Sequence, residues 1–380
     1  MTIYPVQHSA LLRQTSHPFS REVLEQTVQQ LIENLVHIRD NEGEFLLHLD
    51  DGRTIDTKSW LGWEWTHGIG LYGMYQYYRQ TADEKVLMQI DHWFEHQFSQ
   101  ESVTKNVNTV CPFLTLAYRY QETQSPIYRS YLECWADYVM HQMPRTQGGA
   151  LQHITYTDEH AQQLWDDTLM MSALPLAKMG QVLQRPDYIE EAKYQFLIHA
   201  QYLMDAETGL WFHGWNFEGH HHFAKARWAR GNSWITIAIP ELLELLDLSH
   251  QDPFFRHLQQ LLQQQVRTLI HCQDPSGLWH TLLDDPDSYL ETSATAGFAY
   301  GILKAVRKNY LDREYAGPAR RAVEALVSRY INPEGELLNV SFGTAMGNDL
   351  DYYRNIPLTS MPYGQAMAIL CLSEYRYTYL

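Results

Sequence analysis

A short phrase recurs along this chain, a glycine followed by apolar residues and often closed by a histidine. It reads Gly43-Glu-Phe-Leu-Leu-His48, Gly149-Ala-Leu-Gln-His153, Gly209-Leu-Trp-Phe-His213, Gly277-Leu-Trp-His280 and Gly335-Glu-Leu-Leu-Asn339. From Gly149 the steps are 60, 68 and 58 residues, and the 106 residues before it are close to two steps, with one copy missing or degenerate near residues 101–108. A period of about sixty residues fits one helical hairpin plus a connecting loop. Apolar residues at 3,4-spacing agree, over 23–38, 69–78, 86–98, 110–120, 128–143, 169–183, 188–203, 235–246, 254–270, 294–306, 319–330 and 366–377. Pro126, Pro186 and Pro253 stand at helix entrances behind Ser125, Arg185 and Asp252. An open array of hairpins would end in polar capping repeats. Residues 365–379 are instead rich in Ala, Ile, Leu and Tyr, so the last hairpin is expected to pack on the first. The predicted fold is all-α: an (α/α)6 toroid of twelve helices in two concentric rings, one catalytic domain over residues 1–380, with a pocket where the glycine-to-histidine loops converge.

The 11 Trp and 25 Tyr exceed what a core needs, and surplus amphipathic rings suit a carbohydrate cleft. A net charge of −17 argues against nucleic acid and anionic membrane partners, so any anion must be held by local groups. No apolar run approaches a membrane span, and residues 1–24 lack a signal-peptide profile, which predicts a cytoplasmic protein. Cys111, Cys134, Cys272 and Cys371 share no metal-type spacing and read as buried free thiols. Neither a metal nor another cofactor is expected; the tract His220-His221-His222 reads as a solvated rim loop. Oligomeric state is not legible.

The densest chemistry lies in Trp228-Ala-Arg-Gly-Asn-Ser-Trp234, directly before an apolar helical run. Asn232 or Ser233 is expected to cap that helix. Arg230 and Trp234, four apart, share a face once the turn forms, and Gly231 permits a close approach. A planar cation among indoles suits a sugar bearing a carboxylate; the competing reading is a structural ion pair among core anchors. Trp165-Asp166-Asp167-Thr168 opens another apolar run, and the two carboxylates point about 100° apart on a helix. They read either as acids favoured at a helix start or as one general acid raised by burial near Trp. His213 is a sugar ligand, a proton relay or a structural histidine. Asn106 and Asn108 are expected to cap the fourth helix, and Trp63 and Trp65 read as core anchors or a subsite floor.

Together these residues resemble glycoside hydrolase family 105, the unsaturated rhamnogalacturonyl hydrolases, related to the unsaturated glucuronyl hydrolases of family 88. The resemblance spans nearly the whole chain through Trp63-x-Trp65-x-x-Gly68, Gly149-x-x-x-His153, Trp165-Asp-Asp-Thr-Leu-Met170, His213-Gly-Trp215, Trp228-Ala-Arg-Gly-Asn-Ser-Trp234 and Glu291-Thr-Ser-Ala294. It implies an (α/α)6 barrel, with Asp167 as general acid/base and Asp166 as its non-catalytic neighbour. It also implies that Trp65, Asn108, His153, His213, Trp228, Arg230 and Trp234 line the substrate pocket. Asn108 stands where a second aspartate is common, and Ile154 where lysine can occur. The implied substrate is an oligosaccharide left by a polysaccharide lyase and ending in a 4,5-unsaturated uronic acid. The implied reaction hydrates its C4=C5 bond. The alternatives are another toroid enzyme, either an inverting hydrolase using Glu64 or Glu291 or an epimerase using His153 and His213, and a sugar-binding homologue without catalysis.

Overall fold

The computed structural model describes residues 18–100 and 103–380. Residues 1–17, on which most of the signal-peptide argument falls, and residues 101–102 of the expected degenerate repeat lie outside the described residues. The twelve predicted helices all form: α1 (Arg21–His37), α2 (Trp65–Thr81), α3 (Glu84–Phe98), α4 (Phe113–Thr123), α5 (Pro126–Asp137), α6 (Leu174–Val182), α7 (Pro186–Leu203), α8 (Ala229–Leu246), α9 (Pro253–Cys272), α10 (Thr292–Arg307), α11 (Ala316–Ala325) and, after a five-residue helix α12 (Leu350–Arg354), α13 (Pro362–Tyr379). Short π turns extend α5 and α11 and precede α6.

The helices sort into two rings by how much of their circumference is apolar. On α9 the buried positions form one stripe, from Phe254 and Phe255 through Leu258, Leu261, Leu262 and Val266 to Leu269, with Gln and Arg facing water. Nearly every residue of α8, α10 and α13 is buried, so these helices need neighbours on all sides. The inner ring runs α2, α4, α6, α8, α10, α13 and closes, because α13 packs against α2 as well as α10. The outer helices α3, α5, α7, α9 and α11 back their inner partners, and α1 backs α13. The chain is thus an (α/α)6 barrel.

The recurring glycines carry out that closure. All five have positive φ and lie between an outer helix and the inner one that follows, and the last four also touch the next outer helix. A Cβ at Gly149 would meet Tyr194 of α7, at Gly209 Gln264 of α9, and at Gly277 the Arg321 carbonyl of α11. At Gly335 it would lie 2.2 Å from the Gln30 carbonyl of α1, so the last turn is keyed into the first helix. A side chain beginning each of the last three turns holds it: Asp205, Asp274 and Asn332 accept from backbone N–H groups two residues on.

The periodicity gave no warning of three two-stranded antiparallel sheets among the described residues, β1–β2 (Leu46–His48 with Thr54–Asp56), β3–β4 (Gln163–Trp165 with Gly214–Asn216) and β5–β6 (Trp279–His280 with Leu290–Glu291). The cysteine expectation is corrected in part. Cys111 and Cys371 are buried and all four are free thiols, but Cys134 is exposed on the outer face of α5 and Cys272 is half-buried at the end of α9.

Candidate active site

The predicted pocket residues come to one end of the barrel, the N-terminal rim of the inner ring. Trp65 begins α2, Asn108 begins the 3-10 turn before α4, Asp167 precedes α6, Arg230 lies in the first turn of α8, and Glu291 caps α10. Tyr363, not singled out in the sequence, is the second residue of α13. Helix N-termini carry partial positive charge and unpaired N–H groups, so this rim favours an anion although the whole chain is strongly acidic.

The two adjacent aspartates have opposite surroundings. Asp166 is fully buried, and neither carboxyl oxygen has a hydrogen-bond partner among the described residues. It packs on Gly231, where a Cβ would lie 2.1 Å from Oδ2; the close approach predicted for Gly231 is made by this carboxyl. Burial, reinforced by the charge of Asp167, pushes Asp166 well above the usual carboxylate range and favours its neutral form. Asp167 is partly exposed, and its Oδ1 lies 3.3 Å from His153 Nδ1. Burial pushes this carboxyl up, but His153 outweighs it and, with smaller contributions from His213 and His199, holds Asp167 below the ordinary value. Burial depresses His213 to about 3 and His199 to about 4, so both are uncharged at neutral pH and His153 is the neighbour that counts. The sequence expectation of a raised acid therefore fits Asp166 and not resting Asp167.

Aromatic rings set this geometry. His153 lies flat on Trp165, 3.9 Å apart at 8°, and Trp165 meets His213 edge-on at 5.5 Å. His213 packs 4.5 Å from Trp228, and its Nδ1 is 2.7 Å from the Tyr353 hydroxyl. Arg230 is sandwiched between Trp228 at 4.5 Å and Tyr363 at 4.8 Å. Trp65 stacks on Tyr363 at 4.7 Å and meets Trp234 edge-on. Trp63 is a core anchor against Trp93, Phe113 and Trp135, which separates it from Trp65. Asn108 is brought beside the Asp167 turn because Val107 donates to the Ile154 carbonyl and accepts from Ser172. The His220–222 tract lies away from these rings, with His222 bonded to the Tyr202 carbonyl.

Four expectations are corrected. Asn232 and Ser233 do not cap α8, which begins earlier at Ala229; Asn232 lies inside the helix and both accepts from and donates to the Trp211 backbone. The 3-10 turn at 108–110, not α4 itself, is capped by Asn106, whose Oδ1 accepts from Asn108 and Thr109. Glu291 is no second catalytic carboxylate, because it is buried accepting from Ser293, Ala294 and Ser341. Among the described residues Arg230 is neither an open fork nor an ion pair. Its guanidinium donates to the carbonyls of Ser341 and Phe342 and to the hydroxyls of Ser341 and Thr344, holding residues 341–344 over the rim. The chain folds back through a Phe342-to-Pro357 backbone bond, so residues 341–358 form one strap whose Tyr353 reaches His213. No sequence signal marked Tyr353 or the strap.

Residues 21–379 match the Glycosyl Hydrolase Family 88 model. The unsaturated rhamnogalacturonyl hydrolase YesR of Bacillus subtilis is 31% identical over 82% of this chain and 89% of its own length. A crystal structure of a possible member of the GH105 family from Salmonella enterica serovar Paratyphi A shares 63% identity over the whole of both chains, with a TM-score of 0.96. The unsaturated glucuronyl hydrolase of Bacillus sp. GL1 shares the fold, with a TM-score of 0.66 at 16% identity over 93% of this chain and 95% of its own. The closed double ring, the motifs along it and these likenesses agree: the chain belongs to Glycosyl Hydrolase Family 88, beside proteins described as possible members of GH105.

Proposed function

We propose that this chain, acting as one catalytic unit, releases a 4,5-unsaturated uronic acid from the non-reducing end of lyase-generated oligosaccharides. The observation that carries the reading is Asp167, a partly exposed carboxylate held by His153 at the rim where the inner helices point their N-termini. Such a substrate is a vinyl ether, so one acid suffices where ordinary glycoside hydrolysis needs two. Asp167 protonates C4, positive charge develops at C5 and the ring oxygen, and water adds its oxygen to C5 while giving a proton back to the Asp167 carboxylate. The hemiketal then opens and expels the aglycone. Asp167 is ionised at rest; a substrate carboxylate arriving in a dewatered pocket raises its proton affinity and readies it as the acid. The sugar carboxylate meets the helix N-termini beside the strap that Arg230 holds, the rings of Trp65, Trp228 and Trp234 wall the sugar, and His153, His213 and Asn108 bond its hydroxyls.

Loss of ultraviolet absorbance on mixing with unsaturated disaccharides tests the reaction. Asp167→Asn should lower kcat by about 10²–10⁴, the usual worth of a general acid, while binding survives. Near-normal turnover in that variant would refute the assignment. One observation favours an inverting hydrolase of saturated glycans: burial, then the backbone bond from Trp65 and the charge of Asp167, leave Glu64 at about 8, a neutral acid coupled to an ionised one. Its Oε2 accepts from Trp65 N as the cap of α2, which favours a structural role. Turnover of a saturated disaccharide would reverse that preference.

A further inference from the structure

We infer that Tyr353 is a positioning residue whose hydroxyl locks His213 as its Nε2–H tautomer, a fixed donor to a sugar hydroxyl and not a base. The inference rests on the reaction proposed above. Three contacts decide where the hydroxyl proton goes. The Tyr353 oxygen lies 2.7 Å from His213 Nδ1, accepts from the Gly347 N–H at 3.2 Å, and stands 3.6 Å from Met346 Sδ. A thioether is a weak acceptor, and this one is the more distant. Were Nδ1 to donate instead, the hydroxyl proton would be left with that sulfur alone. The proton therefore goes to Nδ1, and the imidazole carries its own on Nε2. Neither group escapes by changing charge: burial pushes the Tyr353 hydroxyl up, and burial depresses His213 to about 3.

Packing keeps both rings in register. Tyr353 is fully buried and meets His213 edge-on at 74°. A Cβ at Gly347 would lie 2.7 Å from the Tyr353 ring, so glycine is what lets that N–H approach the hydroxyl. The His213 backbone is bonded on both sides, its N–H to the Ala226 carbonyl and its carbonyl from the Asp166 N–H. Turning the imidazole over would set a C–H against the hydroxyl. Nε2 has no partner among the described residues and is left open. The ring oxygen of the sugar becomes positive during the reaction, so a donor placed there would oppose it. A sugar hydroxyl stays neutral, so an N–H bonded to it holds substrate and transition state alike. With both nitrogens committed, His213 takes no proton from the attacking water, and Asp167 remains the acceptor.

Nitrogen-15 magnetic resonance of the imidazoles tests the lock directly, because a protonated ring nitrogen and a bare one resonate far apart. The His213 signals are those lost in His213→Gln. In wild type at neutral pH, Nε2 should be protonated and Nδ1 bare, and the Nδ1 signal should move in Tyr353→Phe as its hydrogen bond disappears. A protonated Nδ1 in wild type, or an Nδ1 signal indifferent to Tyr353→Phe, would overturn the inference. Kinetics on an unsaturated disaccharide supply the second readout. Tyr353→Phe should raise KM about threefold to tenfold, the size of one weakened hydrogen bond, at constant kcat. A fall in kcat of about 10²–10⁴ would instead mark His213 as a proton-transfer group that Tyr353 serves, and the donor role would be wrong. The spectra need no substrate. They decide the tautomer even where no unsaturated disaccharide is hydrolysed, an outcome that would sink the proposed reaction instead.

Discussion

Asp166 and Asp167 are joined by one peptide bond and differ in nearly everything else. Because the folded pKa of Asp166 lies well above the unfolded value of about 3.9, its contribution to stability is fully present below that value. It is lost as pH rises through the folded pKa. Asp166→Asn mimics the neutral form, so the variant should keep turnover and melt higher than wild type, with a gap that widens from pH 5 to pH 9. A gap that closes with pH would contradict a neutral Asp166. Gly231 is the complementary test: a methyl group there meets the Asp166 carboxyl at 2.1 Å, so Gly231→Ala should cost about 1–3 kcal/mol, the usual penalty of overpacking. Adding Asp166→Ala should recover part of it, and strict additivity of the two changes would show that they do not touch. At Asp167 the sign is opposite. His153 favours its ionised form, so His153→Gln should raise the pKa of Asp167 and move the alkaline limb of kcat/KM to higher pH. An unmoved or acid-shifted limb would remove His153 from that role.

At the scale of elements, what the sequence revealed depended on whether a feature was periodic. The twelve helices were legible because each buries a face, and the three proline entrances because proline fits the first helical position without losing a bond. The start of α8 was misplaced by several residues. Asn232 looks like a cap, but tertiary bonds to Trp211 draw it into the helix and leave Trp228 as the uncapped boundary residue. The β strands were missed because two or three residues carry no period. Asp167, His153, His213, Trp228 and Trp234 were legible as a family pattern, whereas Tyr353, Tyr363 and the strap reach the site through contacts more than a hundred residues long. The turn glycines belong to both classes: their spacing was visible, their contact with the next helix was not. Gly335→Ala should therefore cost more than its positive φ alone, since its Cβ also collides with the Gln30 carbonyl. Gly52→Ala is the control, with φ of +85 and nothing within 4 Å of its Cβ. It should cost about 1 kcal/mol, the strain of a left-handed residue, and Gly335→Ala visibly more in chemical denaturation. Equal costs would mean that the last turn is not keyed to α1.

Across the whole molecule the six inner helices give the barrel opposite ends. Their N-termini converge on the aromatic site, and farther along them α2, α8 and α10 contribute Tyr72, Glu241, Glu244, Tyr300 and Lys304 to an ionic cluster that is buried except at Glu244. Lysine near helix C-termini opposes the partial negative charge that accumulates there. Tyr72 donates to Glu241 Oε2 at 2.6 Å, Tyr300 donates to Oε1, and Lys304 Nζ lies 2.7 Å from both Glu241 and Glu244. Burial works against the charge on Lys304, and the two glutamates overcome it and hold its pKa well above the usual lysine value. A buried pair of this kind stabilises less than its geometry implies, yet removing one partner strands the other charge. Lys304→Met should therefore destabilise the barrel by about 3–5 kcal/mol without altering KM, because the cluster lies at the far end from the site. Glu241→Gln in the same chain removes the stranded charge, keeps the tyrosine contacts, and should restore most of the loss in a double-mutant cycle. If the double variant is as unstable as the sum of the singles, the cluster is not coupled, and the two ends of the barrel are not held by opposite arrangements of charge.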